Sequence, residues 1–251
     1  MTGTFGIKAA RAAVALAVFA IWELLARTGT VNPRLLPSAS DTLVMLWELL
    51  QRASVRNDLI VTASEVATAF VVAVPIGTLI GFLIAENRYF AEVVKPLLFF
   101  AFSIPKSIFL PMFILTLGIG FWQKVGFGCF STTLLVLLST QAAVRSVRPD
   151  HLLVARSYGA TPMQVIARVY LPSMLPIILE ALRLALIFTF TAVMLAEMYA
   201  SRTGVGHQIG SWGENFMMPQ LLAGVLLMST TAIVLNEGIR WLEHRCGAWR
   251  T

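Results

Sequence analysis

Three ionisable side chains lie inside long hydrophobic runs, where they could act on a solute. Lys106 lies in the segment SIPKS (103–107), and Glu65 and Glu197 lie in two other runs. Ionisable groups are costly in hydrocarbon and usually face a cavity, a partner or the interface. We therefore expect all three residues to line a translocation path, with Lys106 favouring an anionic solute. The alternative is structural, with Lys106 bridging to Glu65 or Glu197 inside the protein.

The helix that carries Lys106 is predicted to break. Pro105 and Pro111 each remove a backbone donor and disrupt the helix. The carbonyl groups that they free must face protein or water at membrane depth. Ser103 and Pro105 are therefore expected to line the path together with Lys106.

The sequence does not favour catalysis by this chain. Its three histidines, His151, His207 and His244, lie near or beyond the ends of the hydrophobic runs. An intramembrane protease or metal enzyme needs a nucleophile, a base or ligands that converge. No GxxxxGK motif followed by Ser or Thr is present, and the Gly204–Gly206 pair lacks the strand-then-helix setting of a phosphate site. We predict that the chain is not an enzyme and binds no metal.

The composition is that of a membrane protein. Hydrophobic residues make up 57% of the chain, charged residues 13%, and the mean hydropathy is +0.78. Soluble domains are roughly 45–50% apolar and about 25% charged. A helix needs about 20 mainly apolar residues to cross a bilayer. The sequence predicts six such helices, at 9–26, 62–85, 97–121, 125–144, 177–200 and 221–239.

The distribution of Lys and Arg predicts the orientation in the membrane, because cytoplasmic segments carry more of them. With both termini in the cytoplasm, that side holds Lys8, Arg11, Arg88, Lys95, Arg145, Arg148, Arg156, Arg168, Arg240, Arg245 and Arg250. The outer side holds Arg27, Arg34, Arg52, Arg56, Lys124 and Arg202. We therefore predict cytoplasmic N- and C-termini.

Three shorter patterns concern the packing of the spans. Residues 37–51 place Leu43, Leu46, Trp47 and Leu50 on one face, which predicts an outer amphipathic helix capped by Ser38 or Ser40. Gly77 and Gly81 form a GxxxG pair that allows close backbone approach, within the chain or across a dimer. Glu197 belongs either to an outer gate with Tyr199 and the loop 204–210 or to the interface as a simple carboxylate.

Residues 150–172, here called the elbow, form a polar segment between two spans. Residues 152–158 favour a helix, and Gly159 suits its left-handed end. Thr161, Pro162 and Gln164 supply the N-cap, first helical residue and capping box of a second helix. This helix is expected to end at about Leu171, because Pro172 follows.

The elbow carries two sets of side chains that could meet a partner. The polar set is Arg156, Ser157, Gln164 and Arg168, and the apolar set is Val154, Ala155, Ile166 and Val169. We expect the apolar face to enter a groove on a partner. A DNA-binding helix-turn-helix would need more basic residues, so no nucleic acid is expected. A merely structural loop is the other alternative.

The elbow resembles the EAA loop, the cytoplasmic coupling element of bacterial ABC importer permeases. The resemblance rests on Ala155, Gly159, Val169, Leu171 and Pro172, and on the phrases LLPSASDTL, SIPKSIFLPMFILTLGIG and LAEMYASRTGVGHQIG. It covers residues 36–249 and is closest to the nitrate, sulfonate and taurine branch. Leu153 and Val154 stand where the motif has Glu and Ala, so polar docking contacts fall to Arg156, Ser157 and Gln164.

The resemblance implies an all-α permease made of a single domain, 1–251, with a core of 58–240. The residues that it assigns to ATPase coupling are Ala155, Arg156, Ser157, Tyr158, Gly159, Ala160, Thr161, Gln164, Leu171 and Pro172. It implies a bacterial inner membrane, a second permease copy, two ATPase subunits that bind ATP and magnesium, and a periplasmic or lipid-anchored solute-binding protein. The chain itself would bind no cofactor.

The resemblance implies inward transport of a small anion by alternating access. Nitrate, sulfonates, aromatic acids and pyrimidine precursors all fit. The alternative is a secondary transporter, which would use coupling-ion carboxylates near the midplane and no ATPase.

Overall fold

A computed structural model describes residues 2–32 and 35–247, and this part of the chain is helical, with no strand. The helices are α1 (Thr2–Arg27), α2 (Ala39–Gln51), α3 (Ala53–Glu86), α4 (Arg88–Ser103), α5 (Leu110–Leu117), α6 (Phe121–Arg145), α7 (Pro149–Ser157), α8 (Pro162–Val165), α9 (Leu171–Tyr199), α10 (Val205–Glu214) and α11 (Met218–Gly247). Arg34, Arg250 and position 249 fall outside the described residues, as do the side chains of Lys8, His244 and Arg245.

Within the described residues, four helices are long and apolar enough to cross a membrane. They are α3, α6, the continuous stretch Pro162–Tyr199 that ends with α9, and α11 up to Trp241. The bent pair Arg88–Ser103 and Lys106–Leu117 makes a fifth if it is one span. The first predicted span lies on α1, several of whose side chains fall outside the described residues, so six spans remain a prediction.

The core of the bundle forms where α3, α6 and α9 pack side by side. Gly77 and Gly81 lie on the buried side of α3, against α6. A Cβ at Gly81 would lie 2.7 Å from the carbonyl oxygen of Leu137, and one at Gly77 would lie 2.8 Å from that of Thr133. The absence of a side chain thus lets the two backbones approach, which confirms the packing of this GxxxG pair within the chain.

The predicted third span is not one continuous helix. α4 ends at Ser103, Ile104 is extended, and a 3₁₀ turn at Lys106–Phe109 leads into α5. The two helical parts meet at 81°. Pro105 causes the break, because the residue before a proline is disfavoured in the helical region. Pro111, by contrast, lies in the first turn of α5, where a missing N–H costs nothing, so its predicted disruption is wrong.

The amphipathic helix between the first two spans is confirmed as α2. Ser38 is its N-cap, and its hydroxyl accepts a hydrogen bond from the backbone N–H of Asp41 at 3.1 Å. The buried side carries Thr42 and Leu49, which face α11. The predicted apolar face points away from the bundle, since Trp47 is 66% exposed.

Candidate functional site

The sequence of the elbow determines its shape through local capping. Gly159 has a φ of +73° and ends α7. The N–H of Ala160 donates to the carbonyl of Ala155 at 3.1 Å, and that of Gly159 donates to Arg156 at 2.9 Å. This pair of bonds is a Schellman motif, which satisfies the free carbonyls of the helix end. The predicted glycine stop is confirmed.

The predicted start of the second helix is confirmed as well. The Thr161 hydroxyl accepts from the N–H of Gln164 at 3.4 Å, and the Gln164 side-chain oxygen accepts from the N–H of Thr161 at 2.9 Å. Pro162 takes the first helical position. Both ends of the turn between α7 and α8 are thereby fixed by hydrogen bonds that the sequence itself specifies.

The predicted end of this second helix is wrong. α8 runs into a π-helical segment, Ile166–Tyr170, and then directly into α9. The N–H of Leu171 donates to the carbonyl of Ile166, five residues back. The extra residue in this turn moves the preceding carbonyls away from the Pro172 ring, so the helix continues past the proline. The part of the elbow from Pro162 onward is therefore continuous with α9.

The two faces of the elbow differ from the prediction. Ala155, Ile166 and Val169 pack inward, onto a core cluster built around Tyr170 and Met174. The exposed apolar surface consists instead of Leu153, Val154, Tyr158, Met163 and Leu171, at 68%, 55%, 89%, 73% and 55% exposure. Of the predicted apolar set, only Val154 faces out. The polar residues Arg156, Ser157 and Gln164 are exposed beside it, as expected.

Lys106 lies at the break, next to a cavity. Its ammonium group donates a hydrogen bond to the backbone carbonyl of Phe102 at 2.6 Å. The same ammonium lies 3.9 Å from the centroid of the Phe102 ring. The cavity has a volume of about 230 Å³ and is formed by the break, α6 and α9. Ser103 and Pro105 are exposed on the same break. The bend thus places a cation beside a partly open cavity.

Glu65 does not pair with Lys106. It forms a buried ion pair with Lys124 of α6, and both side chains are 1% exposed. The Lys124 ammonium also donates to the Ser201 hydroxyl at 3.1 Å and to the carbonyl of Thr203 at 3.3 Å. The structural bridge proposed as the alternative exists, but with another lysine. Lys124 was counted as an outer surface charge because it stands at the end of its hydrophobic run.

Glu197 is fully buried, so its interpretation as a simple interfacial carboxylate is wrong. One carboxylate oxygen accepts from the Thr62 hydroxyl at 2.7 Å, and the other accepts from the N–H of Gly206 at 2.7 Å. The N–H of Val205 donates to the Thr62 hydroxyl at 3.0 Å. The Glu197 carboxyl group thus lies at the N-terminus of α10, where free N–H groups need acceptors.

Two glycines make this contact possible. Gly204 has a φ of +103°, and a Cβ there would collide with the Glu197 carboxylate. A Cβ at Gly206 would lie 2.7 Å from the Cβ of Glu197. The predicted loop 204–210 is mostly helical, because α10 starts at Val205. Tyr199 is 74% exposed and lies apart from the carboxylate.

The structure therefore brings together some of the predicted path residues and separates others. We call Glu65, Lys124, Thr62 and Glu197, with the N-terminus of α10, the buried charge cluster. Thr62 and Glu65 are one helical turn apart on α3, which places Glu65 in the same cluster as Glu197. Lys106, with Ser103 and Pro105, belongs to the break. Among the described residues, no group of His, Cys, Asp and Glu could hold a metal ion.

Comparisons with known proteins identify one family. Residues 73–246 match the family model described as "Binding-protein-dependent transport system inner membrane component". The taurine transport system permease protein TauC of Escherichia coli is 26% identical over 91% of this chain and 85% of that protein. The putative aliphatic sulfonates transport permease protein SsuC of Bacillus subtilis is 25% identical over 93% of this chain and 84% of that protein.

A solved structure has a similar fold. An inward-facing conformation of the MetNI methionine ABC transporter contains a chain with a TM-score of 0.60 to this one. The two are 21% identical, and the match covers 83% of this chain and 98% of that chain. At this identity the likeness concerns the fold of the helical bundle.

Proposed function

Because this chain belongs to the family of binding-protein-dependent transport system inner membrane components, and is a permease subunit of an ABC importer, we propose that it carries a small anionic solute inward by alternating access. The observation that supports an anion is the unpaired position of Lys106 at the break, beside a cavity. Two relatives that match over about nine-tenths of this chain are named for taurine and for aliphatic sulfonates. Both solutes carry a sulfonate group, which a lysine would attract.

The elbow is the proposed docking surface for an ATPase subunit. Its exposed apolar residues, led by Tyr158 and Met163, lie at the tip of two capped helices. Large exposed apolar side chains on a rigid element are typical of an interface core. Arg156 and Ser157 provide polar contacts at the rim. ATP and magnesium would be bound by that subunit. Its movement would be transmitted to the permease through the elbow.

The remaining partners follow from the family. A binding-protein-dependent system delivers its solute from a separate binding protein, which we place on the side of the buried charge cluster. Two ATPase subunits and a second copy of this chain complete the assembly in our proposal. Both termini and the elbow then lie in the cytoplasm.

The proposed path runs past Ser103, Pro105 and Lys106. Glu65 and Glu197 act at its outer end from inside the bundle, since both are fully buried. Their bonds to Lys124 and to the N-terminus of α10 join the outer ends of α3, α6 and α9. Opening of the path toward the binding protein would require these helices to separate.

Site-specific crosslinking tests the docking proposal. Cys129 and Cys246 are first replaced by Ser, and single cysteines are then introduced as Ser157→Cys in the elbow and Arg202→Cys near the outer cluster. In native membranes, we expect a crosslink from Ser157→Cys to an ATPase subunit and none from Arg202→Cys. Equal crosslinking from both sites would contradict the docking surface.

Uptake assays test the class of transporter. Reconstituted vesicles that contain this chain alone should show no solute uptake under an ion gradient, and uptake should require the ATPase subunits with ATP. Gradient-driven uptake by the chain alone would refute the importer and support a secondary transporter.

A further inference from the structure

The cavity at the break has the features of a binding site for a small organic anion. Its walls come from three separate parts of the chain: the break, α6 and α9. The lining includes Lys106, Ser131, Thr191, Phe127, Ile187 and Phe188. Sites for small molecules are concave, mostly apolar and equipped with a few convergent polar groups. This cavity fits that description. No pattern in the sequence indicated that Ser131 would line it.

The Lys106 ammonium at this cavity has no acidic partner among the described side chains. Among the side chains that the structure describes, no carboxylate lies within ion-pair distance of the Lys106 ammonium. The ammonium has three N–H donors, of which the carbonyl of Phe102 accepts one. A cation that is half-buried and lacks an acidic partner gains free energy from an anion placed beside it.

Ser131 supplies the second, independent observation. Its side chain is 3% exposed, and its hydroxyl oxygen has no hydrogen-bond partner among the described residues. Buried hydroxyl groups are normally hydrogen-bonded, because leaving one unpaired is unfavourable. A ligand oxygen in the adjoining cavity would give this hydroxyl an acceptor, just as it would give one to Lys106.

The remaining walls select the kind of anion. Phe127, Ile187 and Phe188 are apolar, and the volume of about 230 Å³ equals roughly eight waters of about 30 Å³ each. An inorganic anion would leave most of this apolar wall without contact. A short alkyl chain with a sulfonate or carboxylate head would place its oxygens at Lys106 and Ser131 and its carbon atoms against the rings.

We infer that the permease itself binds its organic anion in this cavity during translocation, with Lys106 and Ser131 as the groups that recognise the charged head. The inference rests on the proposed function, because it identifies a solute site on the proposed path. It adds a selective step inside the membrane to whatever selection a separate binding protein performs.

A second cavity provides a matched control. It measures about 500 Å³, lies on the other side of α9 and shares Ile187 and Thr191 with the first. Its other lining residues include Met194, Val225 and Ser229, and none of its lining residues is charged. A reporter at Ser229 therefore lines a neighbouring cavity without the lysine.

The test measures the reactivity of single cysteines in the full-length chain in native membranes. After Cys129 and Cys246 are replaced by Ser, Thr191→Cys reports on the wall that the first cavity shares with the second, and Ser229→Cys reports on the second cavity alone. Each is treated with the anionic sulfonatoethyl and the cationic trimethylammonioethyl methanethiosulfonate. At Thr191→Cys we expect the anionic reagent to be favoured by roughly tenfold, from the Coulomb attraction at intermediate dielectric. The added change Lys106→Met should abolish this preference.

The control variants decide between this site and a general charge effect. Lys95→Met removes a lysine of α4 that does not line the cavity and should leave the preference intact. At Ser229→Cys, Lys106→Met should change nothing. A preference at Thr191→Cys that survives Lys106→Met overturns the inference.

Protection by a probe tests the recognition of the head group. Sodium ethanesulfonate should slow the labelling of Thr191→Cys, and Ser131→Ala should weaken this protection by roughly tenfold, as expected for the loss of a charged hydrogen bond. Unchanged reactivity at Ser229→Cys shows that Ser131→Ala still folds. Protection by sodium bromide at equal concentration contradicts an organic-anion site, and so does protection that Ser131→Ala does not reduce. Because labelling needs no ATPase, this result is independent of the crosslinking test.

Discussion

The buried ion pair between Lys124 and Glu65 allows us to predict how much stability the protein loses when one partner is removed. The change Lys124→Met keeps a side chain of similar length but leaves the Glu65 carboxylate, 1% exposed, without its cation. The second carboxylate oxygen of Glu65 has no other donor among the described residues. Removal of one partner of a buried pair typically costs about 3–5 kcal/mol, since an uncompensated charge remains.

The expected shift in melting temperature follows from this value. For a chain of this length, 1 kcal/mol corresponds to about 2–4 °C, so Lys124→Met should lower the apparent melting temperature by about 6–20 °C. Tryptophan fluorescence of the purified permease in detergent measures it. The exposed pair of Arg145 and Glu92 is the control, because it spans 3.2 Å with side chains 39% and 59% exposed. Arg145→Gln should cost at most about 1 kcal/mol.

A second variant separates lost charge from lost shape. If the unpaired carboxylate causes the destabilisation, then Lys124→Met combined with Glu65→Gln should recover more than half of the lost stability. The reasoning is refuted if Lys124→Met behaves like Arg145→Gln, or if the double variant is as unstable as the two single changes added together.

Three further predictions concern other contacts. Gly81→Leu should destabilise the protein by about 1–3 kcal/mol or more, because the added atoms meet the α6 backbone. Gly120→Ala is the control and should melt like the parent, because a Cβ there meets nothing within 4 Å. An equal loss of stability in both variants would argue against the packing of Gly81 on α6. Thr62→Val should cost about 2–6 kcal/mol by unpairing two buried groups, measured by thermal unfolding, while Thr62→Ser keeps the hydroxyl and the stability. Thr161→Ala should lower the free energy of unfolding by about 1 kcal/mol and speed amide hydrogen exchange in the elbow, because it removes the N-cap hydroxyl. Thr161→Ser keeps that hydroxyl and should do neither. Equal exchange rates in the two variants would show that the cap is unimportant.

The elbow shows which parts of the fold a sequence can predict. Its Schellman end at Gly159 and its capping box at Thr161 involve residues within five positions of one another, so the local pattern was sufficient. The expected stop at Pro172 was wrong because the rule assumes α-helical spacing, and a π-helical turn has no clear sequence signal. The π turn also changes the direction of later side chains such as Val169, whereas Ala155 precedes the turn and its inward direction depends on tertiary packing.

The buried charge cluster shows what the sequence could not provide. Sequence chemistry alone indicated that Glu65 needs a cation, and it offered Lys106. Lys124 was the true partner, 59 positions away, and only the packing of α3 against α6 selects it. The glycine pair of α3 was predicted to allow this close packing, yet the identity of the facing helix depends on tertiary structure.

One continuous helix connects the two sites that our proposal assigns to opposite sides of the membrane. Residues 162–199 form a single helical stretch of 38 residues, on the order of 55 Å long at 1.5 Å per residue. The elbow begins this stretch, and Glu197 lies near its far end. We propose that this stretch tilts as one body, so that an ATPase that moves the elbow also displaces Glu197 relative to Thr62 and α10. Alternating access, as proposed above, therefore requires no separate signal between the two ends. It requires only that the hydrogen bonds of Glu197 break when the inner end of the helix is moved.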